Sequence, residues 1–370
     1  MRLTLVISGL GAGGAERIMS VMANYWVSQK DWQITLLTLH DDTIPPFYSL
    51  DVRVKYIPLG VAGFSPNPIV GIGNNIKRIQ KLRSAIMDSQ PYAVISFMDR
   101  TNILTLLATW GLKIPIIISE HVYPTCYPIG QSWELLRQLL YPKANRIVVL
   151  TERIKSYFRS EIQSQTVVIP YPVLPPSEID VNSANTVFLQ KPAIIAMGRL
   201  AEQKGFDLLL RAFAKVKTLF PEWSLTILGE GVLRSNLEDL RHELGLNDCV
   251  NLPGLVKNPY VILRQADLFV MSSRFEGFPN ALCEAMACGL PVISTDCPSG
   301  PREIIQDGID GILVPNGDVE ALAAAMNRLI LNHEERKNFG LASQKVTERF
   351  SLDRIMTIWE QIINQVVHTH

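Results

Sequence analysis

Short apolar runs alternate along the chain with segments that place apolar residues on one helical face. In the first 173 residues the runs predict strands at Leu3–Ser8, Gln33–Leu39, Val52–Ile57, Ala93–Phe97, Ile114–Ser119, Arg146–Leu150 and Thr166–Ile169. The intervening segments predict helices at 14–28, 74–88, 100–111, 132–140 and 152–159. The strands are apolar throughout, which is typical of a parallel sheet covered on both faces. This pattern predicts a doubly wound α/β domain over residues 1–173.

The same alternation restarts after a break. Residues 174–190 lack periodicity and contain Pro175 and Pro176, which predicts a linker. Strands are then predicted near 193–197, 224–228, 249–252, 267–271, 291–294 and 311–314. Helices are predicted near 205–219, 232–244, 258–265, 280–288, 318–331 and 334–348. Residues 191–351 therefore form a second α/β domain, and an amphipathic helix follows at 352–367.

Composition narrows the class of protein. The chain has 370 residues, of which 47% are hydrophobic and 19% charged, which does not suit a disordered or nucleic-acid-coating protein. Five cysteines without a C-x-x-C pair indicate reduced thiols and a cytoplasmic location. No apolar run is long enough to span a bilayer. Residues 1–173 hold 17 Lys and Arg against 11 Asp and Glu, which suits a phosphate-bearing partner or an anionic membrane surface, although ordinary scatter also explains it.

The segment from Glu276 to Glu284 holds two carboxylates across a Gly-Phe-Pro turn. It joins the predicted strand at 267–271 to the helix at 280–288. A strand, a tight turn and a helix N-terminus make a seat for an anion, because unpaired N–H groups point outward there. A carboxylate beside that seat suits a ligand that joins sugar hydroxyls to a diphosphate. The alternative is that Glu276 is a solvated turn residue and Glu284 a surface helix residue.

Two cations follow the first strand of the second domain. Arg199 stands at the end of that strand and Lys204 just before the next helix. Together they could bind one anion and stabilise the charge on a departing nucleoside diphosphate. The alternative is a pair of exposed loop cations. Because the sequence lacks an Asp-x-Asp motif, we predict that diphosphate binding needs no metal.

The first strand is followed by a glycine loop, Gly9-Leu-Gly11-Ala-Gly13-Gly14. It fits the dinucleotide fingerprint G-x-G-x-x-G, and Asp41 ends the second strand where a ribose-binding acid would be expected. An NAD(P)-dependent oxidoreductase is therefore one alternative, although Asp41 lies farther along the chain than that fingerprint requires. The loop equally suits another diphosphate, or a turn without a ligand.

Further polar residues follow other predicted strands. Glu230 lies in a Gly-Glu-Gly turn, and residues 253–258 form another glycine-containing loop. His121 follows an apolar strand in the first domain and could donate to a sugar, unless it is a structural histidine.

Taken together, these motifs resemble the family 4 glycosyltransferases. The matching segments are Gly13-Gly-Ala-Glu-Arg17, Ser119-Glu-His121, Gly198-Arg-Leu-x-x-x-Lys204-Gly205, Gly229-x-Gly231, Ser272-Ser-Arg-Phe-Glu-Gly-Phe-Pro279, Glu276-x7-Glu284 and Pro291-Val-Ile-Ser-Thr-Asp296. The resemblance implies a retaining enzyme with the GT-B fold, in which two Rossmann-like domains face a central cleft. It also implies that the C-terminal helix, 352–370, crosses back onto the first domain. The motifs look most like those of bacterial members that extend lipid-linked oligosaccharides or surface polysaccharides with UDP-sugars.

The same resemblance implies roles for individual residues. Arg199 and Lys204 would bind the donor diphosphate, Glu284 the ribose, and Glu276 the donor sugar. His121 would lie at the sugar, with Arg199, Lys204 and Glu276 as the other catalytic residues. The remaining donor-binding positions implied are Gly13, Gly14, Gly198, Glu230, Leu255, Gly277, Phe278, Asn280, Ala281 and Leu282.

The function expected is transfer of a hexose or N-acetylhexosamine from a UDP-sugar to a glycan or lipid-linked acceptor, without metal. A non-catalytic sugar-nucleotide-binding protein, a related epimerase or phosphorylase, and the oxidoreductase remain alternatives. Lys77, Arg78 and Lys81 share a face of the predicted helix at 74–88. That face could contact anionic lipid headgroups or an acceptor's pyrophosphate on the inner face of the membrane, or could simply be solvated. No nucleic-acid partner is expected.

Overall fold

A computed structural model describes residues 1–41, 43, 45–63, 68–176 and 188–368. The chain divides into two compact units, one formed by Met1–Tyr171 with Asp353–His370 and the other by Pro172–Leu352. Most of the predicted linker, residues 177–187, lies outside the described part.

The first unit is built on a seven-stranded parallel sheet. Its strands are β1 Arg2–Ile7, β2 Gln33–Thr38, β3 Lys55–Pro58, β4 Ala93–Phe97, β5 Ile116–Glu120, β6 Arg146–Val149 and β7 Thr166–Val168, in the order β3-β2-β1-β4-β5-β6-β7. Its helices are α1 Gly14–Lys30, α2 Pro68–Ser89, α3 Asp99–Ala108, α4 Gln131–Leu140, α5 Glu152–Tyr157 and α6 Ser160–Gln163.

The second unit contains a six-stranded parallel sheet. Its strands are β8 Ala193–Met197, β9 Ser224–Leu228, β10 Val250–Gly254, β11 Leu268–Met271, β12 Val292–Thr295 and β13 Ile312–Val314, in the order β10-β9-β8-β11-β12-β13. Its helices are α7 Phe206–Leu219, α8 Arg234–Glu243, α9 Tyr260–Leu263, α10 Asn280–Ala287, α11 Pro301–Ile304, α12 Val319–Leu331, α13 His333–Ser343 and α14 Val346–Arg349.

The last helix, α15 Leu352–His368, packs within the first unit. The ring of Trp359 lies 6.1 Å from that of Phe97 on β4, and Lys30 Nζ at the end of α1 lies 3.0 Å from the Glu360 carboxylate. Trp359 is 3% exposed, so the apolar face that the sequence pattern indicated is buried against the first sheet's helices and strands.

The two doubly wound sheets confirm the predicted α/β architecture. All positions of β4, β5, β9, β11 and β12 are buried, which explains why these strands are apolar without alternation. The strand order reverses beside β1 in the first sheet and beside β8 in the second. In sheets of this kind ligands bind beyond the carboxyl ends of the strands at such a switch point. The loops after β1, β8 and β11 are therefore candidate ligand-binding loops.

The structure corrects several predicted boundaries. Residues 52–54 are not part of β3, and Val52 is 98% exposed, because Arg53 binds the Asp51 carboxylate through its backbone N–H and guanidinium and closes a turn. The helix predicted at 334–348 is two helices, α13 and α14, and the one predicted near 258–265 is the single turn α9. Within the described residues, none of the helices combines the length and apolar character needed to cross a membrane.

Candidate functional site

The loops after β8 and β11 meet at one edge of the second sheet. These strands are parallel neighbours, so their carboxyl ends lie side by side. Arg274 donates its backbone N–H to the Gln203 carbonyl at 2.7 Å, and Ser272 Oγ donates to the Lys204 carbonyl at 3.0 Å. Gly205 has φ of +60°, and a Cβ there would lie 2.2 Å from the Ser272 carbonyl oxygen. Only glycine therefore allows the two loops to approach this closely.

The central interaction of this edge is an ion pair between Lys204 and Glu276. Lys204 Nζ lies 2.6 Å from Glu276 Oε1, and Ser273 Oγ donates to the same oxygen at 2.6 Å. Gln203 Nε2 makes a longer contact of 3.4 Å to Glu276 Oε2. Glu276 is 5% exposed, so the interpretation of this residue as a solvated turn carboxylate is wrong. The sequence indicated both residues but not their pairing.

Lys204 reaches Glu276 by passing over Gly198. A Cβ on Gly198 would lie 2.9 Å from Lys204 Cε and 3.0 Å from Cδ. Gly198 directly follows β8, and its neighbour Arg199 is exposed. A side chain at position 198 would therefore force the lysine side chain to shift, whereas the guanidinium of Arg199 is accessible to a ligand.

Helix α10 begins directly after the loop that holds Glu276. Its first residue, Asn280, has a buried side-chain Nδ2 with no hydrogen-bond partner among the described residues. Glu284 lies one turn further on and is 7% exposed, which excludes the alternative of a surface helix residue. An unsatisfied amide donor at a helix N-terminus adds to the N–H groups that favour an anion there.

Other residues of this segment are held by the protein itself. The ring of Phe278 packs edge to face against Phe350, with centroids 5.3 Å apart, and the side chain of Leu282 is fully buried. The Gly277 carbonyl accepts a hydrogen bond from Ser299 Oγ at 3.1 Å. Phe278 and Leu282 can therefore offer a ligand their backbone groups but not their side chains, while Ala281, the second residue of α10, is partly exposed.

The loop after β9 contributes a glycine and a carboxylate. A Cβ on Gly229, which has φ of +140°, would lie 1.9 Å from the Gly198 carbonyl oxygen, so this loop lies directly against the one after β8. Glu230 accepts a 2.8 Å hydrogen bond from Arg234, and that interaction lowers the pKa of this exposed carboxyl. Leu255, after β10, is 53% exposed and available for an apolar contact.

In the first unit, His121 directly follows β5. Its Nδ1 lies 2.5 Å from the hydroxyl of Tyr171, and its ring centroid is 4.1 Å from that of Phe97. The residue is 6% exposed, and Nε2 has no hydrogen-bond partner within the described part of the chain. Burial lowers the pKa of His121 to about 3, so the imidazole is neutral at physiological pH.

The glycine loop after β1 leads into α1, which has Gly13 at its N-cap and Gly14 as its first residue. The Glu16 carboxylate lies against the N-cap, since a Cβ on Gly13 would lie 2.1 Å from Glu16 Oε2. A carboxylate at this position is favourable beside the positive end of the helix dipole and would repel a phosphate bound there. The role of Gly13 and Gly14 toward donor phosphates stays a prediction.

Asp41 also differs from what a dinucleotide site would require. It is exposed, and its carboxylate accepts hydrogen bonds from the backbone N–H and the hydroxyl of Thr43. These bonds lower the pKa of Asp41 and turn it toward its own loop. This arrangement weakens the oxidoreductase alternative.

Two of the three cations predicted to form a basic face on α2 donate hydrogen bonds to the protein's own backbone. The guanidinium of Arg78 donates to the carbonyls of Val61, at 3.0 Å, and Gly63, at 2.7 Å. Lys81 Nζ donates to the Leu59 carbonyl at 3.2 Å. Lys77 remains exposed, so the three cations do not act as one free patch.

A buried polar network beside His121 has no clear signal in the sequence. Glu120 is 1% exposed and accepts a 2.7 Å hydrogen bond from Tyr141 Oη, while Arg137 Nη1 lies 3.5 Å from the same carboxylate oxygen. Burial raises the pKa of Glu120 to about 7. Arg137 belongs to an amphipathic helix, and the sequence pattern predicts that it is a surface cation. In the structure it is 2% exposed. Pairing with Glu120 and Glu134 explains its burial.

Comparison with known proteins places the chain in a family. The description "Glycosyl transferases group 1" matches residues 180–346, and "Glycosyl transferase 4-like domain" matches residues 13–172. GalNAc-α-(1→4)-GalNAc-α-(1→3)-diNAcBac-PP-undecaprenol α-1,4-N-acetyl-D-galactosaminyltransferase of Campylobacter jejuni is 30% identical over 99% of both chains. The chain therefore belongs to the family 4 glycosyltransferases, as the motifs predicted.

Solved structures agree in fold. The sucrose-phosphate synthase of Thermosynechococcus elongatus superposes with a TM-score of 0.82 over 100% of both chains at 19% identity. The Anabaena protein HepE in complex with UDP superposes with a TM-score of 0.75 over 99% of this chain and 100% of that one, at 16% identity. These likenesses confirm the GT-B type of fold, and the family is of a different class from the oxidoreductases that the glycine loop left open.

Proposed function

We propose that this glycosyltransferase moves a hexose or N-acetylhexosamine from a UDP-sugar to a hydroxyl of a glycan or lipid-linked acceptor, with retention at the anomeric carbon and without a metal ion. The observation that carries the proposal is the Lys204–Glu276 pair at the switch point of the second sheet. It places a cation for a diphosphate and a carboxylate for sugar hydroxyls within one hydrogen bond of each other.

The pair can bind both parts of the donor without breaking. An ammonium has three N–H donors, and one of them is used by Glu276 Oε1 at 2.6 Å. The other two can reach an oxygen of the β-phosphate. Arg199, exposed beside Gly198, adds a second cation, and the unsatisfied Nδ2 of Asn280 adds a neutral donor. These groups would stabilise the negative charge that the leaving UDP develops.

The carboxylate is arranged to accept from a sugar. Oε1 of Glu276 already receives hydrogen bonds from Lys204 and Ser273, whereas Oε2 has the weaker 3.4 Å contact with Gln203. Oε2 is therefore the oxygen that would accept a sugar hydroxyl. Because the lysine neutralises Glu276, the carboxylate does not repel the diphosphate beside it. Glu284, buried one turn into α10, would hold the ribose.

The proposed reaction takes the retaining course that the family resemblance implied. The bond between the anomeric carbon and the β-phosphate oxygen breaks, and the acceptor oxygen bonds to the same face of that carbon. The acceptor's proton passes to the departing phosphate oxygen, so that UDP and the glycoside are the products. The protein contributes mainly by positioning and by stabilising the leaving group.

Relatives support the choice of donor and acceptor. The Campylobacter enzyme is named for an acceptor linked to PP-undecaprenol, and the HepE structure contains UDP. We propose the same chemical classes here, with the protein in the cytoplasm.

Contact with the inner face of the membrane is a further part of this proposal. On α2, Ile72 is 64% and Ile76 51% exposed, one turn apart, with Lys77 exposed beside them. Exposed apolar side chains flanked by a cation suit the interface of an anionic bilayer. The double substitution I72N/I76N should reduce co-sedimentation with phosphatidylglycerol vesicles, whereas V52N, at a still more exposed valine outside α2, should not. Equal sedimentation of all three proteins would remove the membrane contact from the proposal.

The first test of the transferase function is calorimetric titration with UDP, GDP, ADP and NAD in the presence of EDTA. Binding of UDP alone supports the proposal, and binding of NAD alone would overturn it. UDP release that depends on an added acceptor then separates a transferase from an epimerase or a non-catalytic binding protein. Lys204→Ala should abolish that release, because the variant lacks the cation that would stabilise the leaving UDP. Wild-type turnover in this variant would contradict the leaving-group role.

A further inference from the structure

His121 is enclosed by two aromatic rings at the end of β5. Phe97 lies on one side, and Tyr171, which follows β7, stacks at a centroid distance of 5.5 Å and an interplanar angle of 25°. The Tyr171 hydroxyl is 2.5 Å from His121 Nδ1. The imidazole therefore has a fixed orientation, with one ring nitrogen engaged and the other, Nε2, without a partner among the described residues.

The chemistry of the two groups decides which one donates. A phenol is a stronger acid than a neutral imidazole N–H, and an imidazole nitrogen is a stronger base than a phenol oxygen. Burial and the negative charge of Glu16 raise the pKa of Tyr171 well above its usual value, so the phenol keeps its proton. The hydroxyl therefore donates to Nδ1, and the single proton of the neutral ring must be on Nε2.

We propose that Tyr171 is a positioning residue that fixes His121 in the tautomer with its proton on Nε2, so that this N–H is offered to an oxygen atom of a ligand bound beyond the carboxyl end of β5. The identity of that oxygen rests on the proposed function, whereas the tautomer does not. A buried N–H without an acceptor is unfavourable, and a structure that maintains one has a donor ready for a ligand. A neutral N–H suits this task because it stabilises a sugar oxygen without adding a charge that must be desolvated.

The tautomer can be measured directly. Long-range proton–nitrogen correlation spectra of the full chain distinguish Nε2–H from Nδ1–H imidazoles, and comparison with His121→Gln identifies the His121 signal among the six histidines. We expect the Nε2–H pattern in the wild type, and a mixture of both tautomers in Tyr171→Phe. Tyr157→Phe is the matched control, because its hydroxyl contacts Glu134 and not the histidine, and it should leave the pattern unchanged. An Nδ1–H pattern in the wild type would overturn the inference. This result is read from the wild-type protein alone and does not depend on whether a variant folds.

Kinetics tests the consequence for the reaction. Tyr171→Phe should lower kcat/KM for sugar transfer about tenfold and leave UDP affinity unchanged, because the proposed UDP-binding residues all belong to the second unit. Retention of the Nε2–H pattern in Tyr171→Phe, together with unchanged transfer rates, would contradict a positioning role. Failure of the proposed function has a different signature, namely the expected tautomer in a protein that binds no UDP.

Discussion

The substitution Ser273→Ala tests the arrangement of the donor site most directly. Ser273 is fully buried, and its Oγ donates a 2.6 Å hydrogen bond to Glu276 Oε1. Its own carbonyl is held by Thr295 Oγ1 at 2.6 Å, so the loop backbone should keep its position without the hydroxyl. The variant therefore changes how the carboxylate is oriented, while the ion pair with Lys204 remains.

The size of the effect follows from the kind of bond removed. A hydrogen bond to a charged group contributes about 1.5–3 kcal/mol. Because the carboxylate oxygen keeps its lysine partner, we expect the loss of the serine hydroxyl to cost about 2 kcal/mol. If this energy is expressed when the sugar is bound in the transition state, kcat/KM for the UDP-sugar falls roughly 30-fold. UDP lacks the transferred sugar that would contact Glu276, so its affinity should change less than about twofold by the same reasoning.

The assay compares kcat/KM for the UDP-sugar with the calorimetric affinity for UDP in the same preparations. Ser343→Ala is the matched control, since Ser343 is also a fully buried serine of the second unit but donates to backbone carbonyls away from Glu276. Wild-type kcat/KM in Ser273→Ala would refute the argument. An equal loss of UDP affinity would also refute it, because the substitution would then act on the whole loop.

Three further predictions concern other parts of the molecule. Gly198→Ala should lower UDP affinity at least tenfold in calorimetry, because the new Cβ would lie 2.9 Å from Lys204 Cε and displace the cation. Tyr141→Phe should lower the free energy of unfolding by about 1.5 kcal/mol in thermal denaturation, because Glu120 loses a buried 2.7 Å hydrogen bond. His121 stays neutral when folded but takes up a proton when unfolded below pH 6.5, so its contribution to stability is complete above pH 6.5 and is lost as the pH falls toward 3. Measured by thermal denaturation between pH 7 and pH 5, the free energy of unfolding should therefore fall by about 2 kcal/mol more in the wild type than in His121→Gln, because the titration of Glu120 is common to both proteins.

Each of these has a control within the chain. Gly11→Ala adds a Cβ with nothing within 4 Å and should leave UDP affinity unchanged. Tyr127→Phe removes a hydroxyl from a half-exposed ring and should leave the unfolding temperature unchanged. Equal effects in a variant and its control would count against the contact invoked, and identical pH dependence in the wild type and His121→Gln would mean that this histidine is not buried in the neutral form.

The chain's motifs already indicated most of the proposed donor site. The Gly198-Arg199 and Lys204-Gly205 pairs, and two acids eight residues apart, are local features because each belongs to a segment that follows one strand. The sequence was less informative about contacts whose partners are recognised only in the folded structure. Ser273 stands in a recognised motif but shows its role only when it meets Glu276, and Tyr171, 50 residues from His121 along the chain, carries no sequence signal.

The sequence by itself determined the two doubly wound sheets, because continuous apolar strands and amphipathic helices are local patterns that allow few other arrangements. It also indicated which loops would form the proposed site, since these loops follow the strands at the switch points. Only the tertiary structure decided how charges are matched: Lys204 pairs with Glu276, Arg137 is buried with Glu120, and Arg78 binds loop carbonyls instead of facing solvent. The physical reason is that burial and pairing depend on neighbours far away in sequence, and an isolated charged residue has the same pattern whether its partner is water or another side chain.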